Sequence, residues 1–245
     1  MKNILIIGAN SAMAKEVAKL YAIENANFFL VARNFSKLVI MQQDLLVRGA
    51  NTVHISSFDA NDFESHQAMI NQSFETLGKV DIFLIAYGSL PDQNSCETNV
   101  EKAIVEINTN AVSVISLLTL AAPKMEQQMT GNITVITSVA GDRGRQSNYI
   151  YGAAKSMLST FLQGLAQKLS KSGIHVLDIK PGFVDTPMTT EFDKSIVWAK
   201  PSKIAQIIKR RISLKSTFSY APNFWFAIMT IIKFIPQSIF NKLKL

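Results

Sequence analysis

The sequence predicts a single α/β domain, built on a doubly wound parallel sheet of about seven strands with helices on both faces. Short, continuous apolar runs recur along the chain, and a segment with helical spacing of apolar residues follows each of them. Continuous apolar runs are typical of strands buried on both faces, and strands that alternate with helices form parallel sheets. No linker, charge block or internal repeat divides the 245 residues, 48% of which are hydrophobic, so one large core is expected.

The predicted strands come at regular intervals along the chain. The first six are Asn3–Ile7, Phe28–Ala32, Val53–Ser57, Val80–Ala86, Ile133–Thr137 and Ile174–Ile179. A seventh short strand is expected near Thr217–Ala221. Residues 1–222 then form the body of the domain, and residues 223–245 form an apolar and basic C-terminal segment of the same domain.

Composition excludes several functional classes. The one cysteine, Cys96, cannot form an internal disulfide, which suits a reducing compartment and a role as a small apolar side chain. The three histidines, at positions 54, 66 and 175, lack metal-ligand spacing, so no metal site is expected. The apolar run after Met1 is too short for a signal-peptide core or a membrane span. These features predict a cytoplasmic protein.

The net charge of +7 raises the question of an acidic partner. Lys and Arg are spread along the chain, with modest clusters at Lys209-Arg210-Arg211 and in the last few residues. No nucleic-acid-binding motif accompanies them, so nucleic acid is not an expected partner. Anionic lipid or a phosphorylated ligand explains the charge at least as well.

The turn after the first strand has the character of a phosphate-binding loop. It contains Gly8, Asn10, Ser11, Ala12 and Met13, and a helix begins within it. Such turns need little side chain where the backbone approaches a pyrophosphate, and the helix N-terminus offers free N–H groups and a positive dipole end. The turn therefore predicts a Rossmann-type dinucleotide site, although tight packing alone would also produce a small-residue turn.

The end of the second strand indicates which dinucleotide binds. An acidic residue there would bind the ribose hydroxyls of NAD, but the chain has Arg33, which can pair with a 2′-phosphate. NADP(H) is therefore favoured, and NAD(H) stays open because an Arg at a strand end is often only solvated. After the third strand, Asp59 is placed to meet the adenine amino group or to cap a helix that begins at Asn61 or Asp62.

Tyr151 and Lys155 form the pair with the clearest chemical use. Residues four apart on a helix lie on the same face, one turn apart. A free Tyr, with a pKa near ~10, is a poor acid at neutral pH, and a neighbouring ammonium is expected to lower that pKa. Tyr151 can then donate a proton to a carbonyl oxygen while hydride reaches the carbon. Lys155 is also expected to bind the nicotinamide ribose.

Two strand ends supply further candidates. Ser138 follows the fifth strand, where it can hold a substrate oxygen beside the Tyr151 hydroxyl. After the sixth strand comes a Pro-Gly turn that is expected to contact the cofactor, with Thr186 anchoring the nicotinamide carboxamide; this group comprises Pro181, Gly182, Val184 and Thr186. Carboxyl ends of strands in open parallel sheets are where ligands bind.

Together, these segments resemble the short-chain dehydrogenase/reductase family over roughly residues 3 to 221. The resemblance implies a nicotinamide-dependent reductase in which Asn108, Ser138, Tyr151 and Lys155 are catalytic. The Asn supports a water relay to the Lys in that family, and Asn110 is the competing candidate. The chain departs from the family pattern at Ala86, Tyr87 and Gly88, where Asn-Ala-Gly is usual and where cofactor contact is expected, and in the first turn at Ala12 and Ala14.

Within the family, three features resemble the branch that includes the reductase subunits of decaprenylphosphoryl-ribose 2-epimerases, which reduce a keto sugar on a polyprenyl phosphate. These are the Ile85–Gly88 and Glu106–Asn108 segments and the aromatic-rich tail. The tail, residues 223–245, carries only basic charges and suits a membrane interface, a groove for a lipid chain, or a dimer interface. We leave these three open.

The substrate is therefore a ketone, and its class stays open. A lipid-linked keto sugar, reduced in partnership with an oxidase, is one hypothesis. Another hydrophobic carbonyl, such as a 3-oxoacyl chain or a steroid-like ketone, is a second. A non-catalytic dinucleotide-binding scaffold is a third, and the intact catalytic set argues against it. A homo-dimer or homo-tetramer, at the inner face of the membrane or free in the cytoplasm, is expected.

Overall fold

A computed structural model describes residues 1–190, 193–194 and 197–243, and its centre is a seven-stranded parallel sheet. The strands are β1 Asn3–Ile7, β2 Asn27–Ala32, β3 Thr52–Ser57, β4 Ile82–Ile85, β5 Gly131–Ile136, β6 Ile174–Pro181 and β7 Phe218–Ala221. Their order across the sheet is β3-β2-β1-β4-β5-β6-β7. The predicted α/β fold and its seven strands are confirmed, with differences of at most a few residues at the strand ends.

Helices cover both faces of this sheet. They are α1 Ala12–Ala22, α2 Phe35–Val47, α3 His66–Leu77, α4 Gln93–Glu97, α5 Val100–Ile107, α6 Ser113–Gln127, α7 Tyr149–Leu169, α8 Pro201–Ser213, α9 Trp225–Phe234 and α10 Gln237–Phe240. A π-helical turn, Asn108–Val112, joins α5 to α6. The stretch Val100–Gln127 is long and apolar enough, by length and composition only, to cross a membrane, and here it packs against α3 and α7.

Successive side chains along each strand point to opposite faces of the sheet, which divides the core into two layers. Ile4 and Ile6 of β1 face α1, α2 and α8, whereas Leu5 and Ile7 face α3, α6 and α7. All four side chains are at least 99% buried, which explains why the strand has a continuous apolar sequence. A third, smaller cluster joins the C-terminal helices to the body of the domain; it contains Val139, Tyr220, Trp225 and Met229.

The strand order reverses between β1 and β4. β1 pairs with β2 on one side and with β4 on the other, and the connections from these strands run over opposite faces of the sheet. A crevice opens at the carboxyl ends of the strands at such a point, and this is where doubly wound sheets bind ligands. The ends of β1, β4, β5 and β6 therefore position the candidate site.

Candidate active site

A cavity of about 620 Å³ lies at the carboxyl ends of these strands. Most of the residues predicted to bind cofactor line it: Gly8, Asn10, Ser11, Ala12, Met13, Arg33, Asp59, Ala86, Tyr87, Gly88, Tyr151, Lys155 and Thr186. Asn108, Ser138, Pro181, Gly182 and Val184 lie around it without lining it. The sequence motifs, which are spread over about 180 residues, thus converge on one cleft.

Gly8 is required where β1 meets the first turn. Its φ of +86° is in the left-handed region, and a Cβ on it would lie 2.5 Å from the Tyr87 nitrogen. A side chain here would push β1 and β4 apart and open the crevice floor. The N–H groups of Gly8 and Ala9 both donate to the Val31 carbonyl, which fixes the turn against β2.

The groups beyond this turn fit a dinucleotide pyrophosphate. Ser11 precedes α1 but makes no side-chain capping bond, so the first N–H groups of that helix point to the cavity without a side-chain partner. The Asn10 amide donates to the Asn34 carbonyl, 3.0 Å away, while its buried Oδ1 has no hydrogen-bond partner among the described residues. Buried polar atoms are normally partnered, so Asn10 Oδ1 is suited to accept from a ribose hydroxyl of a dinucleotide, since the pyrophosphate itself offers only acceptors.

The outer end of the cavity is rich in cations. Arg33 lines it together with Lys15 and Lys37, and one carboxylate, Asp59, lies nearby. Asp59 Oδ1 accepts a bond from the Asn61 N–H at 2.9 Å, while Asp62 precedes the short helix that begins at Phe63. Asp59 therefore closes a turn rather than capping that helix.

Tyr151 and Lys155 lie at the inner end of the cavity, with the Lys155 ammonium 5.6 Å from the centre of the Tyr151 ring. Burial raises the pKa of Tyr151 to about 12, although a hydrogen bond with Ser138 acts to lower it. Burial lowers the pKa of Lys155 to about 8, although the charge of Asp178 acts to raise it. The prediction that the Tyr151 pKa is lowered is therefore wrong. Desolvation of the phenol raises this pKa by more than the neighbouring groups of the chain lower it.

Two glycines that the sequence analysis did not single out bring Ser138 to Tyr151. A Cβ on Gly141 would lie 2.8 Å from the Lys155 carbonyl carbon, and one on Gly152 would lie 2.9 Å from the Ala140 oxygen. The loop after β5 can therefore lie directly on the backbone of α7. The signal was present as small residues on both sides of the contact, but nothing in the sequence paired them.

The Asn110 side chain lies near the Lys155 ammonium, and the catalytic role predicted for Asn108 stays a prediction. Asn110 is fully buried; its Oδ1 accepts the Ser89 N–H at 3.2 Å, and its Nδ2 donates to the Glu106 carbonyl at 3.1 Å. A Cβ on Gly88 would be 2.8 Å from Asn110 Oδ1 and 3.3 Å from Lys155 Nζ, so all three groups meet at one point.

Asn108 is half-buried at the start of the π-helical turn, and its side chain takes no part in this cluster. The π turn adds a residue to the helical repeat and rotates the following positions. Asn108 and Asn110 both lie within this turn, so family spacing alone does not determine which of the two side chains faces Lys155.

Tyr87, the departure from the family pattern, turns its polar end away from the cavity. Its hydroxyl bonds to Ser113 Oγ at 2.8 Å, and its ring packs beside the core layer under α6. Burial raises the pKa of this phenol well above its ordinary value. Tyr87 therefore remains a neutral packing residue that lines the cavity with its ring.

The Pro-Gly turn lies under a tryptophan from the C-terminal segment. A Cβ on Gly182 would lie 1.9 Å from Trp225 Cε2, so the indole rests on the glycine backbone. Further along, Val184 bridges to Ala199, and Thr186 forms a reciprocal capping arrangement with Thr189. The loop that borders the cavity is thus held by residues from both sides.

A buried charge cluster lies behind the Ser138 loop, and the sequence analysis missed it. Lys180 Nζ is 2.5 Å from Asp142 Oδ1 and 3.9 Å from Asp178 Oδ2. The Tyr220 hydroxyl also donates to Asp142, and Thr137 donates to Asp178. The signal was the pair Asp178 and Lys180, which occupy alternate positions of β6 and break its apolar run.

In the part of the chain that the structure describes, no group of three His, Cys, Asp or Glu forms a metal site.

Comparison with known proteins agrees with this arrangement. A family model described as short chain dehydrogenase matches residues 2–196. The "Uncharacterized oxidoreductase Rv2073c" of Mycobacterium tuberculosis is 30% identical over 240 residues, which cover 98% of this chain and 96% of that protein. An oxidoreductase encoded in the mprA 5′ region of Streptomyces coelicolor is 29% identical, with 99% and 96% coverage.

Two solved structures share the fold. An actinorhodin polyketide ketoreductase, crystallised with NADPH, superposes with a TM-score of 0.80 at 22% identity, covering 89% of this chain and 94% of that one. Levodione reductase superposes with a TM-score of 0.83 at 21% identity, covering 92% and 98%. At this level of identity, the likeness establishes the architecture.

Proposed function

This chain belongs to the short-chain dehydrogenase family and is an NAD(P)-dependent oxidoreductase, and we propose that it reduces a ketone with Tyr151 as the general acid. The observation that carries the proposal is that Tyr151 and Lys155 line the inner end of one cavity, where Tyr151 hydrogen-bonds to Ser138, and that the phosphate turn lines the same cavity. The relatives and neighbours named as oxidoreductases and ketoreductases support the same class of reaction.

When bound, a reduced nicotinamide would supply hydride to the carbonyl carbon, and the chain's own residues would hold and protonate the carbonyl oxygen. Ser138 holds that oxygen beside the Tyr151 hydroxyl. With its pKa raised to about 12, Tyr151 is fully protonated at neutral pH, which is the form that reduction needs. As the phenolate forms, the Lys155 cation on the same helix face stabilises it, and this stabilisation grows only as the proton leaves.

We assign the proton relay to Asn110 instead of Asn108. Asn110 is fixed by Ser89 and Glu106 at the point where Lys155 and Gly88 approach each other. Glu106 Oε2 also accepts from Ser89 Oγ, and both residues line the cavity. A polar path therefore leads from Lys155 towards α5, along which a proton lost from Lys155 can be replaced.

The cavity's outer end favours NADP(H). Gly8, Asn10, Ser11, Ala12 and Met13 would hold the pyrophosphate. Arg33, assisted by Lys15 and Lys37, would neutralise a 2′-phosphate, since three cations on one wall favour a ligand with an extra negative charge. Asp59 would contact the adenine with its second carboxylate oxygen. Ala86, Tyr87, Gly88, Pro181, Gly182, Val184 and Thr186 would surround the nicotinamide end.

The substrate that best suits the surroundings is a bulky, hydrophobic ketone, and we favour a keto sugar carried on a polyprenyl phosphate. Phe183, which is exposed on the Pro-Gly turn, stacks on Trp198 at 5.3 Å and meets Trp225 edge-on at 5.4 Å. These rings would hold a lipid chain outside the cavity. The net positive charge of the protein would favour binding of the phosphate on that lipid. An oxidase partner would then complete a net epimerisation in the cytoplasm. A 3-oxoacyl or steroid-like ketone fits the same aromatic surface.

The test is NADPH oxidation by the purified chain with two substrate panels, prenyl-phosphate keto sugars and 3-oxoacyl thioesters. We expect turnover with the first panel, and Tyr151→Phe serves as the matched inactive control. Turnover with oxoacyl thioesters alone would retain the reductase and reject the lipid-linked sugar. Equal rates for wild type and Tyr151→Phe on every substrate would reject the proposed chemistry.

A further inference from the structure

The positive charge of this protein is concentrated in the last fifth of the sequence, because that part contains no acidic residues. From Lys194 to Leu245 the sequence contains no Asp or Glu, although it holds ten of the 25 Lys and Arg residues. All 18 acidic residues lie in the first 193 positions, which hold only 15 basic ones. The net charge of +7 therefore comes entirely from the C-terminal region.

The helix α9 presents an apolar face to solvent from within this region. Its inner side, Trp225 and Met229, is buried, yet Phe226 is 61%, Ile231 67% and Phe234 82% exposed. Ile239 of α10 adds a further exposed apolar side chain. A helix that is apolar on all sides is normally buried on all sides, so this outer face is expected to have a partner.

Contacts with the body of the domain hold this face in place. Arg143 donates to the carbonyl oxygens of Ile232 and Ile235, at 2.5 and 2.6 Å, at the end of α9. Its guanidinium also lies 3.8 Å from the centre of the Phe240 ring in α10. The exposed side chains are therefore presented on a fixed helix, with little ordering left to be done when a partner binds.

Basic side chains border the same face. Lys233 and Lys242 are exposed beside it, and Arg211 at the end of α8 bonds to Asn223 just before α9. Within the described residues, the ion pairs of the acid-free region are Lys194 with Asp185 and Lys209 with Glu24, so the cations next to α9 have no carboxylate partner. Lys244 and Leu245 lie outside the described residues.

We propose that the α9 surface, comprising Phe226, Ile231, Phe234, Ile239, Lys233 and Lys242, docks on an anionic lipid membrane. The apolar side chains would enter the boundary between headgroups and acyl chains while the lysines meet lipid phosphates, an arrangement that suits basic interfacial helices. A second copy of the chain fits less well, because a two-fold contact would bring two acid-free, basic regions together. The inference does not depend on which ketone is reduced.

Vesicle sedimentation tests the apolar part of this proposal. The full chain is mixed with vesicles of phosphatidylglycerol and phosphatidylcholine, or of phosphatidylcholine alone. We expect binding to the anionic vesicles only, and a loss of roughly tenfold or more in partitioning for Ile231→Ser/Phe234→Ser, since two large apolar side chains no longer insert. The matched control is Ile23→Ser/Val47→Ser, which removes similarly exposed side chains (67% and 89%) from the residue after α1 and the last residue of α2.

A second variant tests the charge and does not depend on the apolar face. Lys233→Gln/Lys242→Gln should weaken partitioning by about fivefold for each charge, because one basic residue near an anionic surface contributes about 1 kcal/mol. NADPH oxidation with a small soluble ketone, or NADPH binding, should be unchanged in all three variants, which shows that they are folded.

Three results would overturn the proposal. The first is wild-type protein that stays in the supernatant with anionic vesicles. The second is equal sedimentation with neutral and anionic vesicles, because charge then plays no part. The third is a fall in oligomer mass for Ile231→Ser/Phe234→Ser with unchanged sedimentation, which would assign the face to a second copy of the chain. None of these results bears on the reductase chemistry.

Discussion

The two ends of the cavity are built in different ways. At the cofactor end, the residues from Gly8 to Met13 are consecutive, and within the described residues the hydrogen bonds of this turn to other segments reach only β2 and Asn34, which follows it. At the substrate end, the Ser138 loop, the Pro-Gly turn and the C-terminal helices come from distant parts of the chain. Arg143, for example, bonds to residues about 90 positions away. Changes at the first end should therefore affect cofactor affinity, whereas changes at the second should affect turnover and stability.

The largest effect should come from Tyr151→Phe, which breaks the substrate end alone. The ring and its packing remain, but the proton donor is lost, and general acid catalysis is typically worth about 10²–10⁴-fold. We expect kcat to fall by that amount while the Kd for NADPH, measured by fluorescence titration, stays within twofold. A parallel loss of NADPH affinity would contradict the separation of the two ends.

Lys180→Met should cost the most stability. Its ammonium pairs with Asp142, and both side chains are less than 10% exposed, so the substitution leaves a buried carboxylate without its cation. Breaking such a pair costs about 3–5 kcal/mol in the free energy of unfolding, which urea denaturation measures. The double variant Lys180→Met/Asp142→Asn removes both charges and should regain part of the loss. Equal stability of the single variant and the wild type would show that the pair is not formed.

Lys155→Met should separate function from stability. The folded pKa of Lys155, about 8, lies below its ordinary value of 10.5, so the folded state loses its proton more readily than the unfolded state. The stability of the wild type therefore rises with pH between about 8 and 10.5, and below pH 8 the full cost of the buried charge is present. With about 1.4 kcal/mol per pKa unit, that cost is about 3 kcal/mol.

Melting curves from pH 7 to pH 10.5 check this sign. Lys155→Met should be more stable than the wild type at pH 7, and the difference should shrink towards pH 10.5, although its reductase activity is lost. A difference that does not vary with pH would mean that Lys155 is not desolvated in the folded protein.

Asn110 and Asn108 differ in what their side chains contact. Asn110→Ala removes bonds to Ser89 and Glu106 beside Lys155, so we expect kcat to fall roughly tenfold or more, with a changed pH profile, as for lost proton-transfer help. Asn108→Ala is the matched control on the same helical turn and should stay within about twofold. The reverse result would restore the assignment that followed from the family spacing.

Much of the fold could be predicted because its signals are local. Apolar runs of strand length correctly predicted the first residues of β1 and β6. The turn at Gly8 correctly predicted the position of the cleft. The choice between Asn108 and Asn110 stays a prediction, because the π turn that orients both side chains depends on tertiary packing and not on a local pattern. The predicted direction of the Tyr151 pKa shift was wrong because the sequence shows the neighbouring lysine but does not show that the Tyr151 side chain is buried. The contact between Gly182 and Trp225 joins residues 43 positions apart that no local pattern connects.

The smallest predicted effect concerns Arg33, and it tests the cofactor end by itself. If Arg33 pairs with a 2′-phosphate, Arg33→Ala should raise the Kd for NADPH roughly tenfold, because a hydrogen-bonded charge pair contributes about 1.5–3 kcal/mol and this side chain is exposed to screening solvent. The Kd for NADH should not change, since NADH lacks that phosphate.

Arg48→Ala is the matched control, since Arg48 is an exposed arginine that pairs with Asp44 on the surface. The NADPH effect should weaken as salt is added, whereas kcat at saturating NADPH should match the wild type, because Arg33 lies at the opposite end of the cavity from Tyr151. Identical NADPH titrations for Arg33→Ala and Arg48→Ala would assign the phosphate to Lys15 and Lys37 or make NADH the cofactor, and the NADH titration distinguishes these two results.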